Sequence, residues 1–376
     1  MSDDSPAPTG STREVAALFV RLGLTAFGGP LAHIAAMEDE VVTRRRWVTR
    51  EEFADLVGAA NLIPGPNSTE LAIHLGYRRA GWPGLIAAGV GFIVPAVLMV
   101  WGIAAAYTRL GSRVDVAAAL SGMQPAVLAV VVQAAWRLRA SFIRSRTAAL
   151  LAAAALVAVL LGVSELTVLL GAVVIAVALL SRSTTASASV AAFSAPLATA
   201  AVGTLTPGTV FLSFAKIGCV LYGSGYVLLT FLRGEFGERL HALTDAQLLD
   251  AIAVGQVTPG PVFSAATFVG YLLAGSAGAW AATAGIFLPA FIGVTLTAPF
   301  VRRLRSDARL APALDVVNAV SLALMVSVVL VMAKAVAAQP LALAIFLGTS
   351  LLLLTTRVGA GWVLLFGGLA GLLRLL

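Results

Sequence analysis

The sequence predicts an all-α, polytopic membrane protein built as two homologous halves, and three observations lead there. The composition is 59% hydrophobic and 11% charged, with a mean hydropathy of +0.96, whereas a soluble domain carries roughly 25% charged residues. Apolar stretches approaching the about 20 residues that a bilayer-crossing helix needs recur along the chain, separated by short basic loops. Two Pro-Gly-Pro breaks, Pro64-Gly65-Pro66 and Pro259-Gly260-Pro261, lie inside such stretches 195 positions apart.

Composition also limits function. The net charge of +7 comes from arginines scattered through short loops, as orientation signals are, and this argues against a nucleic-acid partner. A single cysteine, Cys219, excludes an intrachain disulfide and a multi-thiolate metal site. His33, His74 and His241 are scattered, so neither a metal nor another cofactor is expected.

Residues 1–12 read as a polar, disordered tail with no cleavable signal peptide. The first half, 13–181, opens with an apolar segment from Val15 to Met37 that carries Arg21 and breaks at Phe27-Gly28-Gly29-Pro30. A charged loop, the Pro-Gly-Pro segment at 53–77 and four apolar segments near 82–107, 116–136, 147–162 and 166–181 follow. Residues 182–207 are Ser/Thr/Ala-rich without periodicity and read as a linker. The order of features then restarts in the second half, 208–376. Lys216 matches Arg21, Tyr222-Gly223 matches Phe27-Gly28, Thr244 matches Thr49 and Asp250 matches Asp55, all at an offset of 195. After one deleted position, Gly270-Tyr271, Ala274-Gly275 and Pro289 match Gly76-Tyr77, Ala80-Gly81 and Pro95. A register this long is the mark of an internal duplication.

Loop charge orients the halves. Arg137, Arg139, Arg144 and Arg146 form a basic loop after the fourth segment of the first half, whereas in the second half the basic loop, Arg302 to Arg309, follows the third. By the positive-inside rule the halves lie in opposite orientations, an inverted-topology repeat. The loops flanking the first Pro-Gly-Pro segment are both basic, so that segment enters and leaves on one side. The expectation is about ten transmembrane helices plus two re-entrant Pro-Gly-Pro hairpins, with the short fifth and sixth segments of each half able to form incomplete spans.

Two prolines around a glycine cannot continue a helix, and broken backbone at membrane depth is tolerated where it is buried in protein or lines a polar cavity. The helix start after each break carries positive dipole and free N–H groups that favour an anion. Asn61, Asn67, Ser68, Gln256 and Thr258 add side-chain donors, as do Thr69 and Ser264. Substrate binding is therefore assigned to Asn61, Asn67, Ser68, Gln256 and Thr258 with Pro64, Gly65, Pro66, Pro259, Gly260 and Pro261; the alternative is that the prolines only kink two helices. Arg21 and Lys216, cations in apolar helices at a cost of roughly 2.5–3.5 kcal/mol each, are expected to neutralise the anion, or else to snorkel to the interface. The breaks at Gly28-Gly29 and Gly223-Ser224 let backbone donors approach a ligand, or allow tight helix packing. Glu70 and His74, four residues apart on one helical face, are proton-coupling candidates; the plain alternative is an ion pair of Glu70 with Arg21 or Arg78. Asp55 and Asp250 read as hairpin-start contacts. An intramembrane enzyme using Glu70 and His74 is the least supported reading, since no nucleophile or metal-ligand cluster accompanies them, and no catalytic residue is assigned.

These residues resemble the chromate ion transporter family. The marks are Phe27-Gly28-Gly29-Pro30, Ala60-Asn61-Leu62-Ile63-Pro64-Gly65-Pro66-Asn67, Tyr222-Gly223-Ser224-Gly225-Tyr226-Val227 and Gly255-Gln256-Val257-Thr258-Pro259-Gly260-Pro261. The resemblance covers about residues 15–376, as in a long, two-domain member. It implies a secondary transporter, not an enzyme, that exports the chromate dianion across a bacterial-type inner membrane and confers chromate resistance. Sulfate is the rival substrate, and a sulfate-type or other small-oxyanion carrier or an anion channel is the alternative. The partners so implied are the oxyanion, the lipid bilayer, a coupled proton and, as an open possibility, a second copy in a homodimer.

Overall fold

The computed structural model describes residues 10–27, 29–110, 113–181, 205–222, 225, 227–300, 310–356 and 358–372. Gly28, Gly223 and Ser224, most of the tail and linker, and the basic loop from Arg302 to Arg309 lie outside the described residues. Helices and helical turns dominate, and no strand occurs among the described residues. Four helical stretches, Asn67–Leu110, Val114–Ala140, Val262–Thr297 and Leu314–Ala337, are long and apolar enough to cross a bilayer. With the shorter apolar helices around them they make a multi-pass membrane protein.

The first half begins with α1 (Thr12–Thr25), whose N-terminus is capped by Ser11, and stops at the extended Ala26. α2 (Pro30–Glu38) starts on a proline, which suits a first helical position, and widens into a π-helical turn at Asp39–Arg44. α3 (Arg50–Ala60) opens with a reciprocal capping box between Thr49 and Glu52. α4 (Asn67–Leu110) is broken at Ala80 and Gly81, and the chain reverses there. Gly76 then packs on Gly84 and Ala88, and Ile73 on Gly89, an antiparallel order. α5 (Val114–Phe142), α6 (Arg146–Leu160) and α7 (Glu165–Ser181) complete the half.

The second half repeats this local geometry. α8 (Pro207–Val220), α9 (Leu228–Leu232), a π-helical turn at Arg233–Arg239 and α10 (Asp245–Val257), with its own capping box from Thr244 and Gln247, follow in the same order. α11 (Ala265–Thr297) breaks at Ala274 and Gly275 with nearly the dihedrals of Ala80 and Gly81. Positive φ recurs at matched positions: Arg46 and His241, Gly65 and Gly260, Gly81 and Gly275. α12 (Leu310–Ala337), α13 (Pro340–Thr355) and α14 (Ala360–Leu372) close the chain.

The halves interlock. α6 and α7 pack on α12, while α13 and α14 pack on α5, so each half's terminal pair covers the long helix of the other. Gly122 of α5 meets Gly367 and Gly371 backbone to backbone, the close approach that small residues allow between membrane helices. α6, α7, α13 and α14 have 15, 17, 16 and 13 residues, hence roughly 20–26 Å at 1.5 Å per residue, short of a hydrocarbon core of about 30 Å. These are the incomplete spans that the fifth and sixth segments allowed, and among the described residues fewer helices than ten are long enough to cross.

A Cβ on Gly76 or Gly270 would overlap the carbonyl oxygen of Gly84 or Gly278, whereas none of the neighbours of Gly171 comes within reach. Gly76→Ala and Gly270→Ala should therefore each destabilise the detergent-purified protein by about 1–3 kcal/mol, seen as a lower melting midpoint. Gly171→Ala should leave that midpoint unchanged.

Candidate functional site

At the first break, Gly65 holds φ +141°, and a methyl group on it would overlap Glu70 Oε1. Glycine is required there twice over, by the dihedral and by the carboxyl folded back across the turn. The amides of Thr69 and Glu70 donate to Pro66 O at 2.7 and 3.2 Å. The first two amides of α4, those of Asn67 and Ser68, have no intrahelical acceptor. Asn67 Nδ2 donates to Asn61 Oδ1 across the break at 2.6 Å, while Arg78 donates to Glu52 Oε1 at 2.9 Å where α3 begins. The two ends of this helix–break–helix unit are thus each tied together.

The second break is buried throughout Thr258, Pro259, Gly260 and Pro261. Thr258 folds its hydroxyl back to Val254 O at 2.9 Å, so it serves its own helix end and is not turned toward a ligand. Gly260, at φ +86°, donates its N–H to Ala26 O at the end of α1, 3.0 Å away. In the reverse sense Tyr222, just past α8, donates its hydroxyl to Leu62 O at the first break, 2.8 Å away. Each break is therefore anchored by the end of the other half's first helix. A Cβ on Gly65 would lie 3.6 Å from Ala290 Cβ, and one on Gly260 2.8 Å from Ala96 Cβ, so each tip faces the residue after the kinking proline, Pro289 or Pro95, of the opposite half.

Buried polar atoms in folded proteins are nearly always hydrogen-bonded. Here Thr69 Oγ1, both oxygens of Glu70, both ring nitrogens of His74, both amide atoms of Gln256 and Ser264 Oγ are buried without a hydrogen-bond partner. Glu70 is 0% exposed. Its expected alternatives as an ion-pair partner are engaged elsewhere: Arg21 with Glu40 and Arg78 with Glu52. Asn61 is exposed and Asn67 half-buried, so the first tip is open where the second is closed.

Arg21 and Lys216 occupy equivalent places, and each is held by a glutamate of its own half. Arg21 meets Glu40 at 2.6 Å and Lys216 meets Glu235 at 2.8 Å. Glu40 also receives Arg44 and Arg45, and Glu235 also receives Arg239. Arg21 remains 48% exposed. Neither cation is a bare charge awaiting an anion; each belongs to a basic cluster around one buried carboxylate. The Lys216 cluster opens into a cavity of about 520 Å³ that Lys334 and the 162–165 turn also line.

The sequence profile of the family described as Chromate transporter matches residues 13–205 and 208–372. The chain belongs to the chromate transporter family. It is 30% identical to a chromate transport protein of Cupriavidus metallidurans, over 97% of this chain and 94% of that one. A chromate transport protein of Pseudomonas aeruginosa is 32% identical over 76% of this chain and 72% of its own. A probable chromate transport protein of Synechococcus elongatus is 30% identical over 79% of this chain and 78% of its own. No solved structure matches the chain.

Three features of this family member escaped the sequence reading. Glu40 and Glu235 stand at the same offset of 195 as the cations they bind, so the duplication itself carried that signal. Asp250, read as a hairpin-start contact, is instead buried between the halves, accepting from Tyr107 at 3.0 Å and Gln124 at 3.1 Å. His33, also buried, lies between Ser68 Oγ at 3.3 Å and Ala26 O at 3.2 Å. No local pattern announces either cross-element contact.

Burial would push the Glu235 carboxyl up, but hydrogen bonds from Arg239 and Lys216 outweigh it and hold the group below the usual carboxylate range. A depressed folded-state value stabilises the protein above the unfolded carboxylate range and loses that contribution as pH falls through the folded value. Acidification should lower the parent's melting midpoint, and Glu235→Gln should start lower at neutral pH and show a shallower acid limb in a thermal-shift titration.

Proposed function

We propose that the protein is a secondary carrier that exports the chromate dianion across a bacterial-type inner membrane, holding it between the two Pro-Gly-Pro tips. The observation that carries this reading is the mutual anchoring of the breaks, Gly260 to Ala26 and Tyr222 to Leu62, which gathers the unpartnered polar groups of both halves in the protein interior. Asn61, Asn67, Ser68 and Gln256 serve as donors beside the free amides that open α4 and the turns at Gly29 and Gly65. Glu70 and His74 stand beside the anion as groups that can take up a proton. The relatives' names point to chromate, and sulfate is the rival dianion of like shape.

The inverted repeat and re-entrant hairpins belong to the same proposal. Residues 82–110 and α5 are each about 43 Å long and joined by a short connection, so the end of α5 returns to the end where Arg78 pairs with Glu52. Arg144 there meets Asp315 at the start of α12 at 3.8 Å. α12 runs back to Lys334, which shares its cavity with Lys216 and Glu235. The Lys216–Glu235 cluster therefore lies at the end opposite the one where Arg79 and Arg45 share Glu14, a placement that halves of opposite orientation produce. The two basic clusters act as mouths, one per face, that concentrate an anion.

In everted vesicles, chromate uptake should saturate, in contrast to the linear flux of a channel. Gln256→Leu and Asn67→Ala should each lower specific uptake by about tenfold, on the order of 1.4 kcal/mol. Arg21→Gln and Lys216→Gln should mainly raise the half-saturating concentration. Uptake of sulfate without chromate would reassign the substrate, and parental uptake in both tip variants would move the site elsewhere.

Sidedness is tested separately with Ser145→Cys, Ser164→Cys and Ala338→Cys in a Cys219→Ser background. A membrane-impermeant thiol reagent applied to intact cells should label positions 164 and 338 and spare 145. The reverse pattern would overturn the orientation.

A further inference from the structure

His33 is buried on α2, with its ring edge-on to Phe92 at 5.4 Å between centroids. Its Nε2 lies 3.2 Å from Ala26 O and its Nδ1 3.3 Å from Ser68 Oγ. A backbone carbonyl can only accept, so Nε2 carries the hydrogen. In the neutral imidazole Nδ1 is then a bare lone pair, and Ser68 must donate its hydroxyl hydrogen to it. Ser68 in this state offers an anion only oxygen lone pairs, which repel it. With a proton on Nδ1 the bond reverses: Nδ1–H donates to Ser68 Oγ, and the hydroxyl hydrogen is released toward the tip.

We propose that His33 is the proton-linked positioning residue of the tip, turning Ser68 from an acceptor into an anion donor when it takes up a proton, so that one proton and one oxyanion bind together. This rests on the reading of the tips as the anion site. The proton comes from solvent water and returns to it when the anion leaves, and no covalent bond changes other than N–H. By linkage the anion raises the affinity for the proton by the same factor as the proton raises that for the anion. Ala26 O also accepts from Gly260 N–H, so the residue that senses the proton bonds the first tip directly and shares an acceptor with the second.

Among the ionisable groups on the elements packed against α2, Glu70 and His74 excepted, the carboxylates are held in ion pairs. On α1, Glu14 is paired with Arg79 and Arg45, and Arg21 with Glu40. On the π turn, Asp39 is paired with Arg44, and on α2 itself Glu38 with Arg50. On α4, Arg78 is paired with Glu52, while Glu70 and His74 are unpartnered and make no hydrogen bond to His33. The second tip, 258–264, contains no ionisable side chain.

The test is binding of radiolabelled chromate to the purified full chain in lipid nanodiscs, above neutrality, where chromate stays a dianion. The parent's affinity should fall with rising pH, approaching about tenfold per pH unit as linkage nears one proton per anion. His33→Gln, which cannot take up a proton, should flatten that slope. Ser68→Ala should flatten it as well and bind weakly throughout, which keeps the proposal testable if His33→Gln does not fold. Glu38→Gln, on the same helix but paired with Arg50 outside the tips, should keep the parental slope. A parent without a slope, a slope surviving in either His33→Gln or Ser68→Ala, or its loss in Glu38→Gln overturns the proposal. If Asn67→Ala, Gln256→Leu and Ser68→Ala all bind chromate like the parent, the tips are not the anion site and the proposal falls with that reading.

Discussion

Backbone that cannot be helical must still find hydrogen-bond partners once water is gone, and this constraint organises the molecule. Each Pro-Gly-Pro break removes amide donors and turns others away from the helix axis. Neither half can supply every missing partner alone. Leu62 O is satisfied by Tyr222 and Gly260 N–H by Ala26 O, and both bonds cross between halves. The tips can therefore exist at depth only if the two halves are assembled around each other. The exchange of terminal helices, α6 and α7 onto α12 and α13 and α14 onto α5, closes that assembly from the outside.

The same requirement accounts for the glycines that matter. At Gly65 and Gly260 the backbone occupies positive φ beside a neighbour that leaves little or no room for a side chain: the Glu70 carboxyl in one case, Ala96 Cβ in the other. At Gly23 and Gly218 a Cβ would come within 2.7 Å of Phe92 O and Ile286 O, so α1 and α8 press directly on the long helices that follow. Close backbone approach substitutes for the hydrophobic drive that is missing between helices in lipid. It also leaves the tips little freedom to collapse onto their own unsatisfied groups.

The duplication and the breaks near Ala26 and at the two tips were legible because each is a local rule about a few residues, written twice; Thr49, Thr244 and the two Ala-Gly pairs stood out only as matched positions, and the structure adds that they cap helices and reverse the chain. Lengths were legible as well: the apolar runs near 147–162 and 166–181 read as short, and the helices described there have 15 and 17 residues. Cross-half contacts were not legible at all. Asp250 reads as a residue near a helix start, and only the fold places Tyr107 and Gln124 against it. Arg21 and Lys216 were noticed as costly charges, but the glutamates that offset that cost lie 19 residues on in each half, a spacing that no helical periodicity flags.

What the duplication does not copy bears most on mechanism. The equivalents of His33, Ser68, Glu70 and His74 at the offset of 195 are Leu228, Phe263, Ala265 and Val269. The first tip thus carries groups that can hold or move a proton, and its Asn61 is exposed; the second, with Gln256, Thr258 and Ser264, has no ionisable side chain and is closed. A symmetric pair of breaks would present the same site to both faces as the halves exchange roles. In the proposed carrier, an asymmetric pair would keep the shared scaffold for alternating exposure while confining proton chemistry to one side of it. On that proposal coupling would be a property of the first half, with the Ala26 carbonyl that both His33 and Gly260 address as its link to the second.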